Sequence, residues 1–336
     1  FRNVENLNAK LESLVKAYQK EQAVQELRKR LRELFEPEQG WCYQRVLALP
    51  AVDEVELDQD RVSLVVAEPH TGTGLHSELQ TFWEQATYQN RVAFLIGARS
   101  TYDSLIMAGK RLRAIQQILS DLAADRVPAD DPQSKEAEKL SDEVQLQFLS
   151  AVRETFTTLW YPFQDQLVKV DLSMQFAENK YKGEQQILQV LQDRRKFETD
   201  VEGDLFRRKC ERRLFTTQSL PWREIRLRAA TNTQWQWHHP DALENLKADA
   251  LLKDVWREQG GYVDKGPFPP PKTSVIVKEQ TRDDENGEVH LRLTPVNADT
   301  STGRRSERSA ALRSRSRSSP GSRSDLFQTS MIRLSS

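Results

Sequence analysis

The chain has 336 residues, 38% of them apolar and 29% charged, enough to bury the cores of two or three domains. A formal net charge of -1 gives no global field toward nucleic acid or membrane, and no apolar run approaches the roughly 20 residues that a membrane span needs. Two cysteines, Cys42 and Cys210, lie far apart with no CxxC spacing and no secretory signal, which argues for a reducing, cytoplasmic setting and for plain core or surface thiols.

The chain opens on Phe1, which predicts that the natural start lies upstream. Apolar residues at helical period predict two amphipathic helices over residues 3–18 and 20–35, a hairpin packed on a neighbouring domain. Trp41 to Leu49 is ambiguous. Arg61–Glu68 reads as a buried strand, Leu75 to Ala86 as a helix, and Val92–Ile96 as a second buried strand ending at Gly97. From Tyr102 to Leu122 the period is helical again, with Ser100 and Asp103 as a capping box. Strand, helix, strand and helix in so short a span predict a βαβα unit with two parallel strands side by side.

Ligands of open parallel sheets sit beyond the carboxyl ends of the strands, where helix N-termini point their free amides. Those ends carry Glu68, His70, Thr71, Gly72 and Gly74 after the first strand, and Gly97, Arg99 and Ser100 after the second. The string PHTGTG is a flexible βα loop or a phosphate loop, and no GxxxxGK[ST] string occurs anywhere in the chain. Arg99 is a candidate phosphate contact, with a surface salt bridge as the alternative. No complete catalytic motif is present, so no catalytic residue is assigned.

A polar linker leads to Asp131–Pro132, a helix start. The period from Ala137 through Leu159 predicts a long helix stopped at Pro162, and Leu167–Phe176 alternates like a half-buried strand before a helix over Lys182–Lys196. Asp200–Val263 reads as helix, short helix from Pro221, third helix over Pro240–Lys253, and a Gly260–Gly261 turn, a pattern resembling a winged helix with GGYV opening the wing. Its candidate DNA contacts are Arg223, Arg226 and Arg228 on the second helix and Lys247 and Lys253 on the third; a structural or protein-binding module is the alternative. His238 and His239 lack a Cys or acid at ligand spacing, so no metal site is assigned. Ser274–Lys278 and Val289–Leu293 predict a hairpin that looks like half of a β-sandwich, and the Arg/Ser-rich stretch from Thr300 is predicted disordered. That tail either binds nucleic acid electrostatically or is translation of a wrong reading frame.

The strings FRNVENLNAKL, NRVAFLIGARSTYDSL, KLSDEVQLQFLSAVRETFTTLWYP, NKYKGEQQILQVL and HHPDALENLKADALLKDVWREQGGYVDKGPFPPPKTSV resemble the carboxyl-terminal half of large prokaryotic P-loop ATPases of the AAA type. These proteins are classed by a domain of unknown function and are encoded in phage-defence islands beside DNA methyltransferases. The resemblance covers roughly residues 1–298. It implies Walker elements upstream of Phe1, ATP and Mg2+ as cofactors of the longer protein, Arg99 as a sensor-like cation, and DNA, a methyltransferase or another defence-island protein as partners, with oligomers possible.

Residues and resemblance together give an α/β plus mostly α expectation. Residues 1–128 would hold the helical hairpin and the remnant of a P-loop-type parallel sheet, and 129–198 a helical region with one strand. The winged-helix-like module spans 199–266, the incomplete sandwich 272–298 and the tail 299–336. The functional expectation is the distal part of an ATPase acting in DNA-linked defence, with Arg99 and Ser100 at a phosphate; the alternative is a non-enzymatic DNA- or protein-binding adaptor.

Overall fold

A computed structural model describes residues 7–72, 74–172 and 183–268 in full, and the backbone of two further strands, 277–282 and 289–294. The chain is mixed α/β and divides into two units, Phe1–Phe268 and Pro269–Ser336.

The first unit is built on a five-stranded sheet of order β1-β2-β3-β4-β5. Strand β1 (Arg45–Ala48) runs parallel to β2 (Ser63–His70), and β2 parallel to β3 (Val92–Ala98). Strand β4 (Phe156–Phe163) is antiparallel to β3, and β5 (Gln166–Asp171) antiparallel to β4. Central strands buried on both faces need continuous apolar runs, and Leu64–Ala67 and Val92–Ile96 supply them.

One face carries α1 (Leu7–Ala17), α2 (Lys20–Phe35), α4 (Arg99–Ala124) and α5 (Pro132–Thr155). Their apolar stripes form one core that reaches Ile187 and Leu191 of α6 (Gly183–Asp193), so the segments expected as 1–128 and 129–198 share a core. Gly109 marks the closest crossing: a Cβ there would stand 2.8 Å from Leu27 Cγ and 3.1 Å from the Ala23 carbonyl oxygen, so α4 approaches α2 only because the side chain is a hydrogen. The other face holds a smaller core under α3 (Ser77–Gln85), with Val55, Leu79 and Trp83 against Val65, Phe94 and Ile96. The crossover β2–α3–β3 lies on this second face and α4 returns on the first, which sandwiches β2 and β3.

Residues 203–265 have a core of their own around Cys210, Ile225, Trp235, Leu246, Trp256 and Val263. Helices α7 (Gly203–Arg213), α8 (Trp222–Thr231) and α9 (Ala242–Leu252) combine with β6 (Ser219–Pro221), β7 (Trp256–Gln259) and β8 (Tyr262–Lys265) in a three-stranded antiparallel sheet of order β6-β8-β7. The β7–β8 turn takes positive φ at Gly260 and Gly261 (59° and 79°), conformations that favour glycine. Both cysteines are buried and free, and burial raises the Cys42 thiol to about 12 and Cys210 higher still, which keeps them unreactive.

Three expectations change. The long helix stops at Thr155 and not at Pro162, because Phe156–Phe163 is claimed by ladder bonds to β3 and β5. The ambiguous Trp41–Leu49 stretch contains β1, a third parallel strand. Helix α4 begins at Arg99 with Ala98 as its N-cap residue and no side-chain cap, so Ser100 and Asp103 lie inside the first turns and form no capping box; the Thr101 hydroxyl donates to the Ala98 carbonyl at 3.1 Å.

The half-buried strand expected over Leu167–Phe176 is β5 as far as Asp171; residues 173–182 lie outside the described residues. In the second unit, β9 (Val277–Arg282) pairs antiparallel with β10 (Val289–Thr294), as the hairpin reading requires. The side chains there and the tail from Thr300 lie outside the described residues.

Candidate functional site at the carboxyl edge of the sheet

The carboxyl ends of β2 and β3 carry register shifts at Ala67/His70 and Ile96/Gly97. Such irregularities re-aim side chains at strand ends. Gly97 permits the closure: a Cβ there would meet Pro69 Cγ at 2.5 Å and Thr155 Cγ2 at 3.0 Å. The edge therefore converges on a small volume and delivers Glu68, His70, Arg99 and Tyr102 into it.

Toward α2 and α4 this volume is cationic. The Tyr102 hydroxyl donates to Glu68 Oε1 at 2.7 Å, and Lys20 Nζ lies 3.7 Å from the same oxygen. Lys20 Nζ and the Arg99 guanidinium lie 5.4 and 5.1 Å from the centroid of the Tyr102 ring. Burial, and then the Glu68 carboxylate, push the Tyr102 phenol well above its ordinary value, so it stays a donor. Arg99 and Ser100 are both exposed at the start of α4.

Toward α3 the character reverses. A cleft of about 920 Å3 opens between α3 and the Pro50–Asp53 loop, with Val65, Ala67, Leu79 and Phe82 as apolar lining and Asp53, Glu68 and Glu78 as acids. His76 lines it, and its ring meets His70 edge-on at 3.8 Å between centroids. Gly72 N–H donates to His70 Nδ1 at 2.7 Å, which leaves the proton of a neutral His70 on Nε2. The Nε2 atoms of both histidines are buried without a hydrogen-bond partner. Burial, followed by the neighbouring His70, lowers the His76 pKa below the usual imidazole value, so the ring is neutral at pH 7. Gly72 also shows why PHTGTG carries glycine: a Cβ at that position would stand 2.8 Å from His70 Cε1.

Four of the five candidate DNA contacts face an acidic partner. Arg226 is engaged by Asp60 of the sheet lobe, with Nε to Oδ1 at 3.1 Å. Arg228 lies 3.2 Å from Glu224, Lys247 donates to Glu258 at 2.8 Å, and Lys253 to Asp249 at 2.8 Å. Arg223 is exposed and, among the described residues, has no acidic partner. It lines a second cleft, of about 510 Å3, with Trp222, Glu258, Gly260, Gly261 and Tyr262.

Sequence reasoning placed Arg99 and Glu68 correctly at strand ends and missed Lys20, Asp53, His76 and Glu78. Lys20 belongs to a helix 48 residues before Glu68, and Asp53 follows a strand too short to stand out. Among the described residues no group of three or more His, Cys, Asp and Glu could hold a metal ion, and no helix is long and apolar enough to cross a membrane. No family model matches the chain, and no curated protein and no solved structure matches it either.

Proposed function

We propose that the chain is the distal part of an ATP-dependent switch, in which nucleotide at the carboxyl edge of the sheet is coupled to a winged-helix module that contacts DNA or a partner protein in phage defence. The observation that carries the reading is the placement of Lys20 and Arg99 beside Tyr102 at the exposed start of α4, where a phosphate would meet cationic side chains and free helix amides. The order β6-β8-β7 with α7, α8 and α9 supports the winged-helix reading of residues 199–266. Mg2+ is not assigned to residues of this chain, since among the described residues no group of three or more His, Cys, Asp and Glu is assembled to hold a metal ion. Catalytic phosphate-loop residues are not assigned to this chain, since its sequence contains no GxxxxGK[ST] string.

The test uses a protein extended upstream to include the expected Walker elements. It should hydrolyse ATP, the 336-residue chain should not, and Arg99→Ala should lower turnover of the extended protein by tenfold or more, on the order of an arginine contact to a transferring phosphoryl group. A folded extended protein that neither binds nor hydrolyses ATP would sink the switch, and unchanged turnover of the Arg99 variant would remove that residue from the site.

A second reading, a non-enzymatic adaptor bound to a methyltransferase or another protein through the winged helix, is favoured by one observation. The outward face of α9 offers Glu244, Asn245, Ala248 and Leu252, and Leu252 is 87% exposed. A duplex-reading third helix would present cations there. Duplex binding with a steep salt slope that survives deletion of the tail and is lost in Arg223→Ala would favour DNA over protein.

A further inference from the structure

The floor and the rim of the cleft under α3 differ in chemistry. Val65, Ala67 and Leu79, all buried, give it an apolar floor, whereas Asp53 and Glu78 stand exposed at the rim, one on each wall. We propose that this cleft binds a small organic cation, an amine carried on an apolar body, with the body on the floor and the ammonium at the rim. Such a site is independent of Lys20, Arg99 and the nucleotide reading.

The volume of about 920 Å3 falls within the range of small-molecule sites and far exceeds the needs of a bare ammonium ion. Removing a hydrocarbon body from water on the floor supplies most of the affinity, and the half-buried Phe82 adds an aromatic face against which a ring stacks or a cation rests. Exposed carboxylates contribute less. On the scale of surface ion pairs each is worth a factor of about 1.4 to 5 in affinity, so the rim sets the sign of the ligand and the floor its size.

The sign follows from which charges are left free. Among the described residues the side chains of Asp53 and Glu78 have no hydrogen bond and no lysine or arginine partner, whereas Glu68, the third acid of the lining, already accepts from Tyr102 and lies 3.7 Å from Lys20. No lysine or arginine is among the described lining residues, and burial together with the neighbouring His70 keeps His76 neutral at pH 7, so the charge of the lining is negative. The first turn of α3 also lines the cleft and by its dipole alone favours an anion, but Glu78 sits in that turn and offsets it. An ammonium is attracted from both walls, and a carboxylate or phosphate is repelled.

Calorimetric titration of the 336-residue chain with phenethylamine, 2-phenylethanol, 3-phenylpropanoate and methylammonium separates charge from body. Phenethylamine should bind about threefold or more tightly than the alcohol and about tenfold or more tightly than the carboxylate, and methylammonium should give no heat at the same millimolar concentration. The double variant Asp53→Asn with Glu78→Gln should cut the preference for amine over alcohol to below about twofold and leave the alcohol itself unchanged. Thr81→Trp, at an exposed lining position, should fill the cleft and abolish binding of both, whereas Glu138→Gln, at an exposed position of α5, should change nothing. All four positions are exposed, and unchanged thermal melts would show that the variants fold. Equal affinity for amine and alcohol, a carboxylate as tight as the amine, or no heat with phenethylamine would each overturn the site. A preference that survives the double variant would place the amine elsewhere, and heat with an oligolysine peptide but none with phenethylamine would overturn the small-molecule assignment in favour of a protein partner.

Discussion

The two ends of β3 are built on opposite principles. Just past its carboxyl end Arg99 and Ser100 are exposed, and at the same edge of the sheet, beside β2, two histidine nitrogens lack partners and a cleft stands open. At its amino end Asn90 is fully buried and saturated: its amide donates to the carbonyls of Ala229 and Trp235 at 2.9 and 3.1 Å, its side-chain oxygen accepts from Lys196 Nζ at 2.6 Å, and its backbone carbonyl accepts from Trp237 Nε1 at 2.7 Å. Lys196 also donates to the carbonyls of Thr233 and Trp235 and lies 5.0 Å from the Trp237 ring centroid. This seam joins the sheet to α8 and the loop before α9. The sheet thus spends polar groups on cohesion at the amino end of β3 and keeps them available at its carboxyl edge, which is how a rigid scaffold can present an unsaturated site.

The saturated end should break hardest. Burial and the nearby Arg91 push the Lys196 pKa well below its ordinary value, yet three oxygen acceptors match the three N–H groups of an ammonium, and the geometry favours the charged form. Asn90→Ala removes the closest acceptor of that charge and strips the donor from two buried carbonyls. A loss of about 3–5 kcal/mol is expected in urea unfolding, the scale of an uncompensated buried charge. A loss below about 1 kcal/mol would show that water or a rearranged Lys196 satisfies the seam.

Next in size is a pH effect at His238, in the loop before α9. Its Nε2 accepts from Trp235 Nε1 at 2.9 Å, and its Nδ1 lies 3.1 Å from the His239 carbonyl oxygen, an arrangement that holds the ring neutral. Burial foremost, and then Arg91 and Lys209, lower its pKa to about 4 from the ordinary 6.5, against the opposing bond to the His239 carbonyl. Because the folded pKa is the lower one, the unfolded chain binds the proton first. The contribution is whole above about pH 6.5 and is lost as pH falls toward 4, about 3 kcal/mol in all at 1.36 kcal/mol per pKa unit. His238→Gln keeps one acceptor and one donor. The difference in stability between wild type and this variant should shift by that amount between pH 7 and pH 4, and a constant difference would place the acid sensitivity elsewhere.

These polar devices were the least legible part of the sequence. The apolar runs of β2 and β3 and the helical stripes of α1, α2 and α4 announce themselves because burial on a repeating face leaves a repeating pattern. Strand β4 did not, since Val152, Phe156 and Leu159 keep a helical phase across the junction, and only pairing across the sheet, Leu95 with Leu159, decides for a strand. Lys196 reads as a solvated charge at a helix end, and nothing local to it reveals Asn90, 106 residues earlier. Arg99 was legible because a strand running directly into a helix fixes its place, whereas the cleft draws on residues from Pro50 to Gln85 that no short motif links.

The smallest expected effect lies on the rim of the closed end, where Arg226 of α8 engages Asp60 in the loop before β2. Beside it, the buried Arg91 donates from Nε to the Gln59 carbonyl at 2.7 Å. Arg226 was a candidate DNA contact, and in this arrangement its charge is already committed to the sheet lobe. Both partners are substantially exposed, at 38% and 50% of their side-chain surface, so a double-mutant cycle over Arg226→Ala and Asp60→Ala should give a coupling of only about 0.2–1 kcal/mol that shrinks with added salt. If the bond also holds Arg226 away from nucleic acid, Asp60→Ala should raise duplex affinity modestly at low salt while Arg226→Ala leaves it unchanged. Duplex affinity that falls in Arg226→Ala with Asp60 intact would mean the arginine leaves its acid to reach phosphate, and α8 would then belong to a nucleic-acid surface and not to the seam.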